Sequence, residues 1–86
     1  MNFQERIVEA IQESGYTQKS IAQMLNISEG NISNWKKGSN MPSIDILYKL
    51  CLILNKSADY LLGLEDDFGN KIYLNNAIEK LNKDKN

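Results

Sequence analysis

The sequence predicts an all-α protein: five short helices, with a sixth added at the C-terminal end. Three observations carry this. Leu, Ile, Lys, Glu, Gln and Asn dominate, whereas Val occurs once (Val8) and aromatic residues are few, a mixture that suits helices better than a packed sheet. Apolar residues recur at three- and four-residue spacing. Ser or Thr stands before these periodic runs and Gly or Asn after them, which is the punctuation of helix starts and stops. With 86 residues the chain has material for one compact domain and not for two.

The first helix is expected over residues 2–14, where Phe3, Ile7, Ala10 and Ile11 share a face, and Gly15 stops it. Thr17 is the N-cap of a second, short helix ending near Leu25, with Ile21, Ala22 and Leu25 as a narrow inward stripe. Asn26 is the non-glycine residue type best suited to the left-handed turn that follows. Ile27 then points inward and Ser28 caps a third helix over residues 29–37, closed by Gly38. Ile32 and Trp35 mark its buried side. Gly30, Ser33, Asn34 and Lys37 give it a polar outer stripe.

Residues 39–42 are read as a loop because Pro42 disfavours helix in the residue before it, and Ser43 caps a fourth helix over residues 44–54. That helix is apolar nearly all round and is therefore expected at the centre of the domain. Ser57 caps a fifth helix over residues 58–62, ended by Gly63. Residues 64–70, with Glu65, Asp66, Asp67, Gly69 and Asn70, read as a hinge. Leu74, Ile78 and Leu81 then return at helical spacing, predicting a sixth amphipathic helix over about residues 71–82 and a short tail to 86.

Composition excludes several classes of function. The chain has no histidine, no cysteine pair, no Gly-rich phosphate loop and no nucleophile-elbow pattern, so no enzyme reading and no cofactor follow. Glu65-Asp66-Asp67 lacks the spacing of a calcium loop and reads as a solvated surface. Cys51, set among Leu50, Leu52 and Ile53, reads as a small core residue. The N-terminus lacks the pattern of a signal peptide, and the longest apolar run, residues 44–54, falls short of the ~20 residues that span a membrane. A cytoplasmic protein without a membrane partner is expected.

The net charge of −1 hides an uneven distribution. From Gln18 to Lys56, five lysines (Lys19, Lys36, Lys37, Lys49, Lys56) face two acids (Glu29, Asp45), while both flanks are acidic. Two short helices joined by a tight turn, the second polar on its outer side, form the layout of a helix-turn-helix. Ala22 is small where the two helices must approach closely. Ile21, Leu25, Ile27, Ile32 and Trp35 are placed to wedge them at a fixed angle, so that the third helix projects. A projecting helix with short polar side chains fits a DNA major groove, which is ~12 Å wide.

The run Gly15-Tyr16-Thr17-Gln18, Ile21-Ala22, Leu25-Asn26-Ile27-Ser28, Ile32-Ser33-Asn34-Trp35 and Gly38 resembles the phage repressor/Cro-type helix-turn-helix family, also called the XRE family. The likeness continues through Pro42-Ser43, Leu47, Leu50, Leu54 and Ala58-Asp59-Tyr60-Leu61-Leu62-Gly63, and so covers nearly all of residues 2–63. It implies a five-helix lambda-repressor-like DNA-binding domain over 1–63, with its helix-turn-helix at Gln18–Lys37, a hinge at 64–70 and the added C-terminal helix and tail at 71–86. Two positions depart from the family pattern. Asn26 stands where Gly is frequent, and Gly30 stands where many relatives carry a base-reading side chain.

The function implied is that of a transcriptional regulator, a repressor binding double-stranded operator DNA as a homodimer on an inverted repeat. By the resemblance, Gln18 bonds a phosphate and orients the recognition helix. Ser28, Glu29, Ser33 and Asn34 are the candidates for base edges, with Asn34 suited to adenine and Glu29 to a cytosine amino group. Lys36, Lys37 and Asn40 are candidates for phosphates, with Lys19 and Asn31 at the margin. Plainer roles stand beside these: Ser28 as a cap, Glu29, Lys36 and Lys37 as complements of the helix dipole, and Trp35 as core. Tyr60, Leu61, Leu74, Ile78 and Leu81 are the candidates for a dimer interface, unless the last helix packs on its own domain. A chain this short leaves little room for a small-molecule effector. The alternative is a protein-interaction module, antitoxin-like or antirepressor-binding, on the same scaffold, a reading motivated by the net acidity.

Overall fold

Five helices in the expected order make up the computed structural model, which describes residues 3–71: α1 (Phe3–Ser14), α2 (Gln18–Leu25), α3 (Glu29–Lys37), α4 (Ile44–Leu54) and α5 (Ala58–Leu61). The expected sixth helix, with Leu74, Ile78 and Leu81, lies outside the described residues. Each boundary has a local cause. Thr17, Ser43 and Ser57 accept from the backbone N–H three residues on, at 3.0, 3.4 and 3.0 Å. Four of the five helix ends share one device, a residue in the left-handed region followed by an N–H that reaches back five residues. Asn26 (φ 57°), Gly38 (φ 81°), Asn55 (φ 55°) and Gly63 (φ 79°) supply the conformation. The returning bonds run from Ile27 to Ala22, Ser39 to Asn34, Lys56 to Cys51 and Leu64 to Asp59.

The core draws one fully buried side chain from every helix: Ile7, Ile21, Ile32, Leu50 and Leu61. Around them pack Phe3, Ala10, Ile11, Ala22, Leu25, Trp35 and Leu54. Helix α1 packs against α3, α4 and α5, and α2 packs against α3 and α4. By burial the central position expected of α4 belongs to α1, on which Phe3, Arg6, Ile7, Ala10 and Ile11 are all buried. Of α4 only Leu50 and Leu54 are buried, whereas Ile44, Tyr48 and Leu52 are 87%, 64% and 65% exposed. A helix with apolar residues on every side can be covered only on the sides where the fold supplies neighbours, and here α1, α2 and α5 cover one side. Cys51 is half-buried on that helix, and burial pushes its thiol pKa up.

Further differences from the sequence reading are local. Helix α5 ends at Leu61, with Leu62 as its cap. Leu61, expected at a dimer interface, is fully buried because it closes the core beneath α1 and α4, so its side chain has no surface to offer a second copy. Residues 64–70, expected as a hinge, form a bonded turn. The Asp66 carboxylate accepts from the Phe68 and Asn70 N–H groups at 2.9 and 2.8 Å, and an antiparallel bridge pairs Glu65 with Lys71. The Lys71 ammonium ties this turn to Asp59 and Glu65 at 2.8 and 2.9 Å.

Arg6 on α1 is 6% exposed, an unusual place for a guanidinium. It stacks 4.2 Å from the centre of the Tyr60 ring and lies 3.8 Å from the Asp67 carboxylate, while its Nε and Nη1 have no hydrogen-bond partner among the described residues. The Lys56 ammonium stands 5.0 Å from the same ring. Burial raises the pKa of the Tyr60 hydroxyl, partly offset by the charge of Arg6.

Candidate nucleic-acid interface

The turn between α2 and α3 is set by Asn26, whose positive φ needs no glycine because Asn tolerates the left-handed region at small cost. Beyond it, α3 is held by its inward side. Ile32 is fully buried and Trp35 is 3% exposed, so helical spacing leaves Ser28, Glu29 and Gly30 exposed and Asn31, Ser33, Asn34 and Lys36 half-buried. Lys37, Asn40 and Lys19 are exposed. One contiguous stretch of chain thus carries nearly all of the candidate base- and phosphate-contacting residues.

A hydrogen-bonded link fixes the two helices beyond apolar packing. Gln18, the first residue of α2, donates from Nε2 to Ser33 Oγ at 2.8 Å and to the Glu29 carbonyl at 3.3 Å. Its Oε1 accepts from the Lys36 ammonium at 3.0 Å. One amide therefore reaches three residues spaced about a turn apart on the facing helix (29, 33 and 36), and the Ser33 hydroxyl keeps its own proton to donate outward. Lys36, expected as a phosphate ligand, is held against Gln18 in the free protein. Nothing in the local sequence announces this contact, although Ser33 and Lys36 at i and i+3 do share a helix face.

The N-terminus of α3 behaves differently from the sequence expectation. Ser28 occupies the N-cap backbone position, but its hydroxyl caps no N–H and instead accepts from the Asn31 side-chain amide at 3.2 Å. The free N–H groups of this helix start are a site that favours anions. At Gly30 an added Cβ would meet only Ser28 Oγ, at 3.7 Å, so the gap in the polar stripe is open and not demanded by packing. Lys36 and Lys37 stand in the last turn, where they also complement the helix dipole.

Among the described residues no cluster of His, Cys, Asp or Glu is arranged to hold a metal ion, and no helix is long and apolar enough to cross a membrane.

Comparison with known proteins agrees with this geometry. Residues 7–61 match the helix-turn-helix family HTH_3. The chain is 41% identical over 88 aligned positions to the HTH-type transcriptional regulator ImmR of Bacillus subtilis (strain 168), an alignment covering 94% of this chain and 68% of that protein. It is 31% identical to the uncharacterized HTH-type transcriptional regulator YobD of the same organism, covering 78% of this chain and 60% of that one. Among solved structures, a transcriptional regulator from Listeria innocua superposes with a TM-score of 0.67 at 26% identity, covering 94% of this chain and 76% of the other.

Proposed function

The chain belongs to the helix-turn-helix family of transcriptional regulators, and from that premise we propose that it is a sequence-specific repressor that binds operator DNA as a homodimer. The observation that supports this most is the division of α3 into two sides. Ile32 and Trp35 fasten one side to the core, while the other presents short polar side chains to solvent.

In this reading α3 enters the major groove. Ser28, Glu29, Ser33 and Asn34 meet base edges, each good bidentate pair giving about 1–3 kcal/mol of discrimination. Gln18, Lys19, Asn31, Lys36, Lys37 and Asn40 contact the phosphates that fix register without reading sequence. Gln18 acts in both capacities, since the amide that would meet a phosphate also ties α2 to α3. Two copies related by a two-fold axis place their α3 helices about 34 Å apart on one side of an inverted repeat. Repression follows from occupying a promoter.

Selection of bound duplexes from a random pool at moderate salt tests the proposal. Enrichment of an inverted repeat with half-sites one helical turn apart is the expected result. A pool that emerges with no sequence enriched would remove the operator reading and leave the protein-interaction module in its place.

A further inference from the structure

The exposed side of α4 is unused by the proposed DNA contacts and carries three of the four most exposed large apolar residues among those described, the other being Phe68. Ile44, Tyr48 and Leu52 recur at every fourth position and are 87%, 64% and 65% exposed, forming one continuous apolar stripe along the helix. Single exposed apolar residues need no explanation, but a stripe at helical spacing is the form of a helix-pairing surface.

Charge beside the stripe indicates what covers it. Asp45 and Lys49 are exposed and each follows a stripe residue by one position. A rotation of about 100° per residue therefore sets both on the same flank of the stripe. When two identical helices pack antiparallel about a two-fold axis, the same flank of each meets on the same side. Asp45 of one copy then stands beside Lys49 of the other, twice over. Parallel packing would set these charges against the opposite flank, which carries Leu47 and Cys51. The surface is thus self-complementary in the sense an isologous contact requires.

We infer that the stripe of Ile44, Tyr48 and Leu52 is a homodimerisation surface, in which α4 packs antiparallel on α4 of a second copy with reciprocal Asp45–Lys49 pairs. This deepens the reading of a paired DNA-binding unit and rests on it for its role, but the surface can be measured without DNA. A single helix stripe is small beside the ~800 Å² per partner of a standard interface, so the contact is weak in free solution. On an inverted repeat the neighbouring site raises the effective concentration of the second copy, and binding becomes cooperative.

Sedimentation velocity of the full chain without DNA, over a wide concentration range, tests the inference. The natural protein is expected to pass from monomer to dimer. Tyr48→Glu, at an exposed position, is expected to raise the concentration needed by at least about tenfold with an unchanged circular dichroism spectrum. Asp45→Lys and Lys49→Asp each place like charges opposite one another and weaken self-association, whereas an equimolar mixture of the two restores dimers as heterodimers. A natural chain that stays monomeric overturns the inference, and so does a dimer indifferent to Tyr48→Glu. A mixture no more associated than its components also overturns it. Destabilisation of a monomer by Tyr48→Glu would show that the chain's own C-terminal segment covers the stripe. Binding of Tyr48→Glu to a single half-site, with cooperativity on the full repeat lost, separates this surface from DNA recognition itself.

Discussion

Gln18 and Ser33, fifteen residues apart in the chain, are joined by a 2.8 Å hydrogen bond from the Gln18 amide to the Ser33 hydroxyl. It locks the start of α2 onto the middle of α3, and Lys36 closes the link from the other side. Gln18→Ala removes a partly exposed network and is expected to cost about 0.5–1.5 kcal/mol in thermal or urea unfolding. Operator affinity should fall by a larger factor, on the order of tenfold, because both a phosphate donor and the orientation of α3 are lost. Gln18→Glu keeps an acceptor for Lys36 but loses the donor to Ser33 and sets a carboxylate where a phosphate is proposed to lie, so its affinity is expected to fall below that of Gln18→Ala. Unchanged affinity in both variants would show that the link has no part in binding.

The end of α3 is fixed by Gly38, at φ 81°. A Cβ added there would collide with the side-chain amide of Gln4, the far end of a flexible chain that can swing away. The left-handed backbone is the cost that remains, and Gly38→Ala is expected to lose about 1–2 kcal/mol in stability. Adding Gln4→Ala to that variant should recover little. Full recovery would assign the cost to the collision instead.

Lys37 is exposed in the last turn of α3 and, among the described residues, has no bonding partner comparable to that of Lys36. Its removal tests the electrostatic part of the interface. Lys37→Ala is expected to weaken binding to all duplexes by a similar factor and to lower the slope of log affinity against log salt by about 1. Asn34→Ala should instead relax preference at one base position. Equal effects of the two on specificity would contradict the division between phosphate and base contacts.

The turn over residues 65–71 is expected to loosen in acid. Hydrogen bonds from Lys71 and then Ser57 hold the Glu65 carboxyl below its ordinary pKa, and the side chain and backbone of Asn70 do the same for Asp66. Both groups therefore stabilise the turn above the ordinary carboxylate range of about 4, and that stability is lost as pH falls through their lowered folded values. Lys71, whose pKa is raised mainly by its bonds to Asp59 and Glu65, adds stability below the ordinary lysine range that is lost as pH rises through the raised value. Amide exchange at Phe68 and Asn70, followed from neutral pH into acid and corrected for its intrinsic pH dependence, should lose protection below the carboxylate range. Asp66→Asn should remove much of that dependence.

Much of this fold can be read from residues whose message is local. Thr17, Asn26, Gly38, Ser43 and Gly63 announce helix ends through their own conformational preferences, and Ile21, Ile32 and Trp35 announce inward sides through spacing. What escaped the sequence depends on neighbours distant in the chain. The all-round apolar α4 says nothing of which side is covered, because that is decided by where α1, α2 and α5 lie. Nothing beside Arg6 in the chain marks it as buried, because the Tyr60 ring that covers it comes from α5. Likewise, the acids and glycine of residues 65–70 look like a loose connection, and only the bonds to Asn70 and Lys71 make them a closed turn.

The enclosed guanidinium of Arg6 joins the first helix to the last described turn. With two of its nitrogens lacking hydrogen bonds among the described residues, it lies against an aromatic ring of α5 and beside Asp67. Opening of the turn that carries Asp67 would take away the carboxylate 3.8 Å from that cation. The beginning and the end of the described fold therefore meet at one side chain, through one stacked ring and one ion pair.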